Sequence, residues 1–438
     1  CYLKSCAVPL VDKPHHIASV IDPTARICAD GVRQCAQQKV TILPTKTVFE
    51  LQCGDAVQVT LSFLTTLFTD DYVRLSRPVY YVNFDVFSLD ENAHDVDILL
   101  SLSGEHVVNS DTLQSVQWST STLRNETFIR IGNSRQHVLG SKGDRVNIDW
   151  GFLYLGNGNK RDTSTMLWGG SLRNATASFL ETGELPALPD QGPVPRPCSQ
   201  DLPGISAVIH AQAPPNHTQE SVPSQIPSQQ ATFVVAYDDV ASVEYFGDDL
   251  KGLWTQTYDT IEDAMLAAGE EFEDMLAKSD AHDTALLTRL SAAGGPEYAQ
   301  LCALAYRQTL AATKLVWNAK DAIAWNFLKE ISTNGDMQTM DVIFPASPML
   351  LYTNPDLLKI LLEPVLAYAH NETYIRFGNP YSPHQLGTYP IADAPTSAQE
   401  PMPLENSGNM MFMLLAIAQH QDNNVDWPER AHALDGKL

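Results

Sequence analysis

Positive charge is scarce in this chain. Its 438 residues hold 28 Lys and Arg against 52 Asp and Glu, a formal net charge of −24 at neutral pH. Such a balance repels nucleic-acid phosphates and anionic lipid head groups, both of which are bound through basic patches. Nucleic acid and membrane are therefore excluded as main partners. Long apolar runs are missing too: the longest, Met410 to Ala418, is less than half the roughly 20 residues that cross a bilayer as a helix. There is no Cys-x-x-Cys pair, His-Glu-x-x-His motif, EF-hand loop, phosphate-binding glycine loop or Gly-x-Ser-x-Gly elbow. No cofactor is implied, and neither a structural zinc site nor a serine nucleophile is supported. Cys302 falls in an apolar helical stripe, where an inert thiol is expected.

What is present describes a folded protein. With 44% hydrophobic and 18% charged residues the composition is globular, and the length exceeds what one core usually supports, so two or three domains are expected. Five of the seven cysteines lie in the first 53 residues (1, 6, 28, 35 and 53), with 198 and 302 apart from them. This crowding reads as a disulfide-stapled N-terminal segment, residues 1–37, in an oxidising compartment, with one cysteine left over. Four glycosylation sequons, at Asn125, Asn174, Asn216 and Asn371, point the same way. A secreted protein, extracellular or associated with the cell wall, is expected. The sequence begins at Cys1 with neither an initiator Met nor a signal peptide, so a leader is expected to have been removed or not represented.

From about residue 38 the hydrophobic period is two. Val57, Val59, Leu61 and Phe63 alternate with polar residues, as do Val82, Phe84 and Val86, and Val96, Ile98, Leu100 and Leu102. Further strands are predicted at Phe128 to Ile131, Val146 to Tyr154 and Thr232 to Tyr237. Many short strands without intervening helices imply an antiparallel sandwich over residues 38–250. Within it, residues 184–230 carry ten prolines and read as a surface excursion rather than a core element. Beyond 250 the period becomes 3.6: Ile261, Met265, Ala268, Phe272 and Met275 form one stripe, with Thr260 and Asp263 as a capping box. Gly294-Gly295-Pro296 ends that helix and starts one reaching about Trp317. Asn354-Pro355 opens another, which Pro364 should kink or end. Asn409 to His420 is apolar nearly all round and is expected inside the domain.

Several ordered stretches then carry a family resemblance. Tyr306-Arg307-Gln308, Asn334 to Pro345, His384 to Pro390 and Met402 to Met410 resemble, in order and spacing, the blocks of the fungal secreted glutaminase A family. Arg74 to Pro78, Ile148 to Gly151 and Ala236 to Asp239 resemble its β-rich part, so the likeness spans about residues 40 to 420. It implies a β-sandwich followed by an (α/α)6 toroid, here the N-terminal part of one over 251–438, and an extracellular amidohydrolase that converts L-glutamine to L-glutamate and ammonia. Too few helices are present to close a toroid, so either a further polypeptide segment is expected to complete it or the sequence is part of a longer one. The alternatives are a glycoside hydrolase of the same architecture and a non-catalytic surface or structural protein derived from the fold.

Amide hydrolysis needs an activated water, a proton for the leaving ammonia and donors for the oxyanion. Glu405, Asp336 and His384 are the catalytic candidates, Glu405 foremost because burial beside other acids at the inner rim would suit a general acid or base. Arg307 is the candidate anchor for the substrate carboxylate, with Tyr306, Asp341 and Asn409 around the substrate. Two positions where the resemblance leads one to expect an acid hold amides, Gln385 and Asn406.

Overall fold

The computed structural model describes residues 16–17, 35–144, 147–158, 165–215, 228–331, 334–370, 381–394 and 402–420. In chain order the first elements are β1 (His16–Ile17), β2 (Ala36–Ile42), β3 (Lys46–Cys53), β4 (Val57–Leu64), α1 (Tyr72–Ser76), β5 (Val79–Ser88), β6 (His94–Ser103), β7 (Ser115–Leu123) and β8 (Glu126–Asn133). There follow β9 (Phe152–Asn157), β10 (Met166–Ser171), α2 (Leu172–Thr182), β11 (Arg196–Pro197), β12 (Pro203–Ala213), β13 (Ser228–Asp238), β14 (Val243–Tyr245) and β15 (Asp248–Gly252). The remainder comprises α3 (Ile261–Glu270), α4 (Phe272–Gly294), α5 (Pro296–Ala311), β16 (Thr313–Asn318), β17 (Ile323–Leu328), β18 (Asp336–Met337), α6 (Met340–Thr353), α7 (Pro355–His370), β19 (Gly387–Thr388), β20 (Ile391–Ala392) and α8 (Pro403–His420). The plan is β, then α. No described helix is long and apolar enough to cross a membrane.

Two sheets face each other in the first half. The larger has the order β11-β7-β8-β9-β13-β5-β4-β3-β2 and the smaller β1-β6-β12-β10. Alternation decides what each side chain meets. Phe233 and Val235 of β13 enter the core shared with Ile98 and Leu100 of β6 and Ile205 and Ala207 of β12. Their neighbours Val234 and Ala236 point the other way and pack on Ile261, Met265 and Ala268 of α3. The nine-stranded sheet is thus covered on both faces, which is why β13 reads as a continuous apolar run. A disulfide joins Cys35 to Cys53 beside the β2–β3 hairpin. Cys198 and Cys302 are unbridged, and Cys1, Cys6 and Cys28 lie outside the described residues.

Several sequence expectations are corrected. The proline-rich stretch is no mere excursion: Pro203 to Ile209 are all buried, and β12 joins β6 to β10 at the centre of the smaller sheet. The strand expected at Val146 to Tyr154 begins only at Phe152, Val146 lying outside the described residues. The helix expected to reach Trp317 stops at Ala311, and β16 and β17 form a hairpin there. Pro364 does not end α7, because Leu357, Leu358, Leu361, Leu362 and Val365 are all buried, enough to outweigh the roughly 3 kcal/mol that an internal proline costs. The last helix begins at Pro403, and one side of it faces solvent rather than protein.

The two halves are fastened at several places, three of them around α3 and α4. Glu271 receives the guanidinium groups of Arg74, 2.7 Å away, and Arg77. Asp283 of α4 accepts bonds from the Thr45 amide (3.0 Å) and hydroxyl (2.9 Å) at the β2–β3 turn. The third is α3 on the sheet. Thr260 caps α3 by accepting from the Asp263 amide at 3.1 Å, as its spacing predicts.

Candidate functional site

Residues 381–394 run between the helices and through the seven-stranded sheet β17-β16-β15-β14-β20-β19-β18. The backbone holds them closely: Leu386 N donates to Met337 O and Tyr389 N to Gly335 O, both at 2.9 Å, and Met340 N donates to His384 O at 2.8 Å. The last bond has a local cause. Thr339, the residue preceding α6, makes no side-chain cap, so the carbonyl of His384 satisfies the first amide of the helix instead. Asp341 lies in that same first turn, where the helix dipole favours a carboxylate.

His384 and Asp341 thereby meet. The ring Nε2 stands 3.6 Å from the Asp341 carboxylate, and His384 is only 5% exposed. Ser382 N donates to Ser407 Oγ at 3.1 Å, tying the same segment to the start of α8. Gln385 is buried, and so is Asn406, which is 0% exposed and whose amide atoms have no hydrogen-bond partner among the described residues.

The other candidates are placed differently. Glu405 is exposed in the first turn of α8, not buried beside other acids, because the helix buries the side that carries Asn406 and Met410. Asn409 is half-buried on the same helix. Asp336 spends its carboxylate on local bonds, accepting from Asn334 Nδ2 at 2.9 Å and Thr388 Oγ1 at 3.2 Å, where β18 pairs with β19. Arg307 donates to Leu43 O (3.2 Å), Lys46 O (3.1 Å) and Thr47 Oγ1 (2.8 Å), so it clamps α5 to the β2–β3 turn. Tyr306 is buried beside it and donates to Leu67 O. Of the sequons, Asn125 is exposed in the β7–β8 turn and Asn174 on α2, while Asn216 and Asn371 lie outside the described residues.

One buried ion pair escapes sequence reading. Lys314 Nζ lies 2.6 Å from Asp239 Oδ2, and Asp239 also accepts from Ser242 Oγ at 3.0 Å. Burial works against the Lys314 charge, but the Asp239 carboxylate outweighs it and holds the ammonium above its ordinary pKa. Asp239 belongs to a stretch the sequence singles out, yet its partner falls in a stretch that reads as helix.

Residues 295–434 match the family model described as "Glutaminase A six helical-hairpin domain", and residues 45–289 match "Domain of unknown function (DUF5127)". Glutaminase A of Aspergillus oryzae is 29% identical over 388 residues, covering 87% of this chain and 53% of that protein. A probable glutaminase of Arthroderma benhamiae is 27% identical over 445 residues, covering 97% and 48%. The chain spans about half the length of these curated relatives. A β-rich region followed by a helical one, each matched in that order, defines the class. The chain belongs to the glutaminase A family.

Proposed function

We propose that the chain acts as an extracellular glutaminase, hydrolysing L-glutamine to L-glutamate and ammonia, with His384 and Asp341 as its acid–base pair. The observation that carries this reading is their approach to 3.6 Å inside the region matched as a glutaminase A helical-hairpin domain. In this scheme the Asp341 carboxylate orients the imidazole and stabilises its cation. The imidazole takes a proton from water as the water oxygen bonds to the carboxamide carbon. The C–N bond then breaks, and the imidazolium returns the proton to the departing nitrogen, releasing ammonia. Glu405 and Asn409, on the open side of α8, are assigned to substrate contact, and Asp336 to holding the strand that carries the segment.

The exposed disulfide-closed hairpin edge and the exposed Asn125 and Asn174 support secretion with glycosylation. The division into segment 1–37, sandwich 38–250 and helical unit 251–438 belongs to the same proposal, as does a toroid. The apolar side of α8 supports packing by a further helical polypeptide that would complete it.

Ammonia release from L-glutamine, set beside sugar release from a glycan panel, tests the reaction. His384→Gln and Asp341→Asn should each lower ammonia release by about 10²-fold or more. Activity within a few-fold of the wild type in both would remove the pair from the mechanism, and sugar release without ammonia would replace the reaction.

A further inference from the structure

A second site of a different kind lies at the seam between the halves. A cavity of about 310 Å³ opens between the loop around Trp150 and the β16–β17 hairpin, with Tyr389 and Pro390 at one end. That volume is at the small end for ligand pockets and suits a molecule the size of an amino acid. Among the described residues its lining contains Lys314 and Lys329 and no Asp or Glu, and none of His384, Asp341 or Glu405.

The two lysines share a face for a reason of register. Lys314 pairs with Phe327 across the hairpin, so Lys329, two positions beyond Phe327, stands on the same side and diagonal to Lys314. Only one of the two charges is matched. Lys314 is neutralised by Asp239 at 2.6 Å. Lys329 forms no ion pair among the described residues, and its Nζ stands 5.8 Å from the centroid of the Tyr389 ring. In a chain with a formal charge of −24 an unmatched lysine in a concave, partly apolar setting is a specific feature. Ile148, Trp150 and Pro390 supply apolar wall. An inorganic anion would leave that wall uncovered, whereas a short hydrocarbon bearing a carboxylate would cover it and meet the ammonium.

We infer that this cavity binds a small organic carboxylate, with the Lys329 ammonium as its counter-ion and Trp150 and Pro390 against its hydrocarbon part. The inference is independent of the proposed reaction, because its readout is binding rather than turnover. Calorimetric titration of the full chain with sodium glutarate, against sodium phosphate and sodium chloride at matched ionic strength, tests it. Saturable one-site binding of glutarate is expected, and weakening by about tenfold in Lys329→Gln. Lys329→Arg should bind within a few-fold of the wild type. Asn147→Asp, which places a carboxylate in the exposed rim, should weaken binding without touching the buried pair. Lys39→Gln removes an equal charge from a distant surface and should change nothing. Absence of saturable glutarate binding, phosphate binding as tightly as glutarate, or equal weakening by Lys39→Gln and Lys329→Gln would each overturn the inference.

Discussion

The apolar surface of the sandwich is covered, by its own two sheets and by α3, whereas that of the helical half is not. In the sheets each inward side chain meets the opposing sheet, and the outer face of the larger sheet meets α3. Of the large apolar residues left outside there, Leu113 and Leu188 lie on loops, while Val40 and Ile42 lie on the edge strand β2. In α8 the residues Met410, Met413, Leu414 and Ile417 are buried, while Leu404 is 90% exposed and Phe412 64%, with Met411 and Leu415 beside them. Phe344 of α6 adds to that surface, its ring centroid 6.5 Å from that of Phe412. A contiguous apolar face of this kind is unusual on a protein that meets only water. The lesson is that a strand with period two has both faces decided by two layers, while a helix with a wide apolar stripe requires neighbours on more than one side.

The largest effect should come from opening the closed half. Phe233 is fully buried, with its ring 6.1 Å from that of Phe84. Phe233→Ala should lower the unfolding free energy by about 3–5 kcal/mol, read from the denaturant midpoint. A loss under about 1 kcal/mol would mean that the sheets do not form one close-packed core.

A smaller, pH-dependent effect belongs to the seam. Burial pushes Asp283 up to about 6 from its ordinary 3.8, although Thr45 hydrogen bonds and the nearby Lys46 act the other way. A raised acid favours the fold while protonated. Its contribution is fully present below about 4, falls as pH rises, and is lost above about 6. The shift corresponds to about 3 kcal/mol across that window. Asp283→Asn should therefore flatten the decline in stability between pH 4 and 6, followed by urea unfolding at each pH. An unchanged slope in the variant would assign the decline to other groups.

How far the sequence foretells this structure follows from the same contrast. Strands β4 and β5 are readable because Val57, Val59, Leu61 and Phe63, and Val82, Phe84 and Val86, alternate with polar residues. Strand β12 is hidden because Pro203 to Ile209 are buried on both faces, so no alternation marks them, and the surrounding prolines suggest a loop. The β16–β17 hairpin is hidden because an apolar run straight after a helix keeps the helical reading alive. At the site, His384 and Asp341 can each be selected by residue type, but their meeting depends on a carbonyl capping α6, which no local pattern announces. Arg307 is selected for a substrate carboxylate, yet in the structure its donors meet Leu43, Lys46 and Thr47, some 260 positions away. The burial expected of Glu405 is not found, because the helix expected from Asn409 already starts at Pro403 and leaves Glu405 on its exposed side.

The smallest change in stability should come from the open face. Phe412 and Leu415 lie on the side of α8 away from the buried stripe of Met410, Met413 and Ile417. Truncating them removes little buried area, and the helix-propensity cost of serine is about 0.5 kcal/mol at each position. Phe412→Ser with Leu415→Ser should therefore shift the unfolding free energy by about 1 kcal/mol or less. Association should respond far more. Wild-type chain is expected to self-associate with rising concentration in sedimentation velocity, because the face is apolar and uncovered, and the double variant is expected to remain monomeric. If the wild type stays monomeric throughout and the double variant loses more than about 2 kcal/mol, the value for a buried pair rather than an exposed one, then this face is packed in solution and the two halves are closed alike.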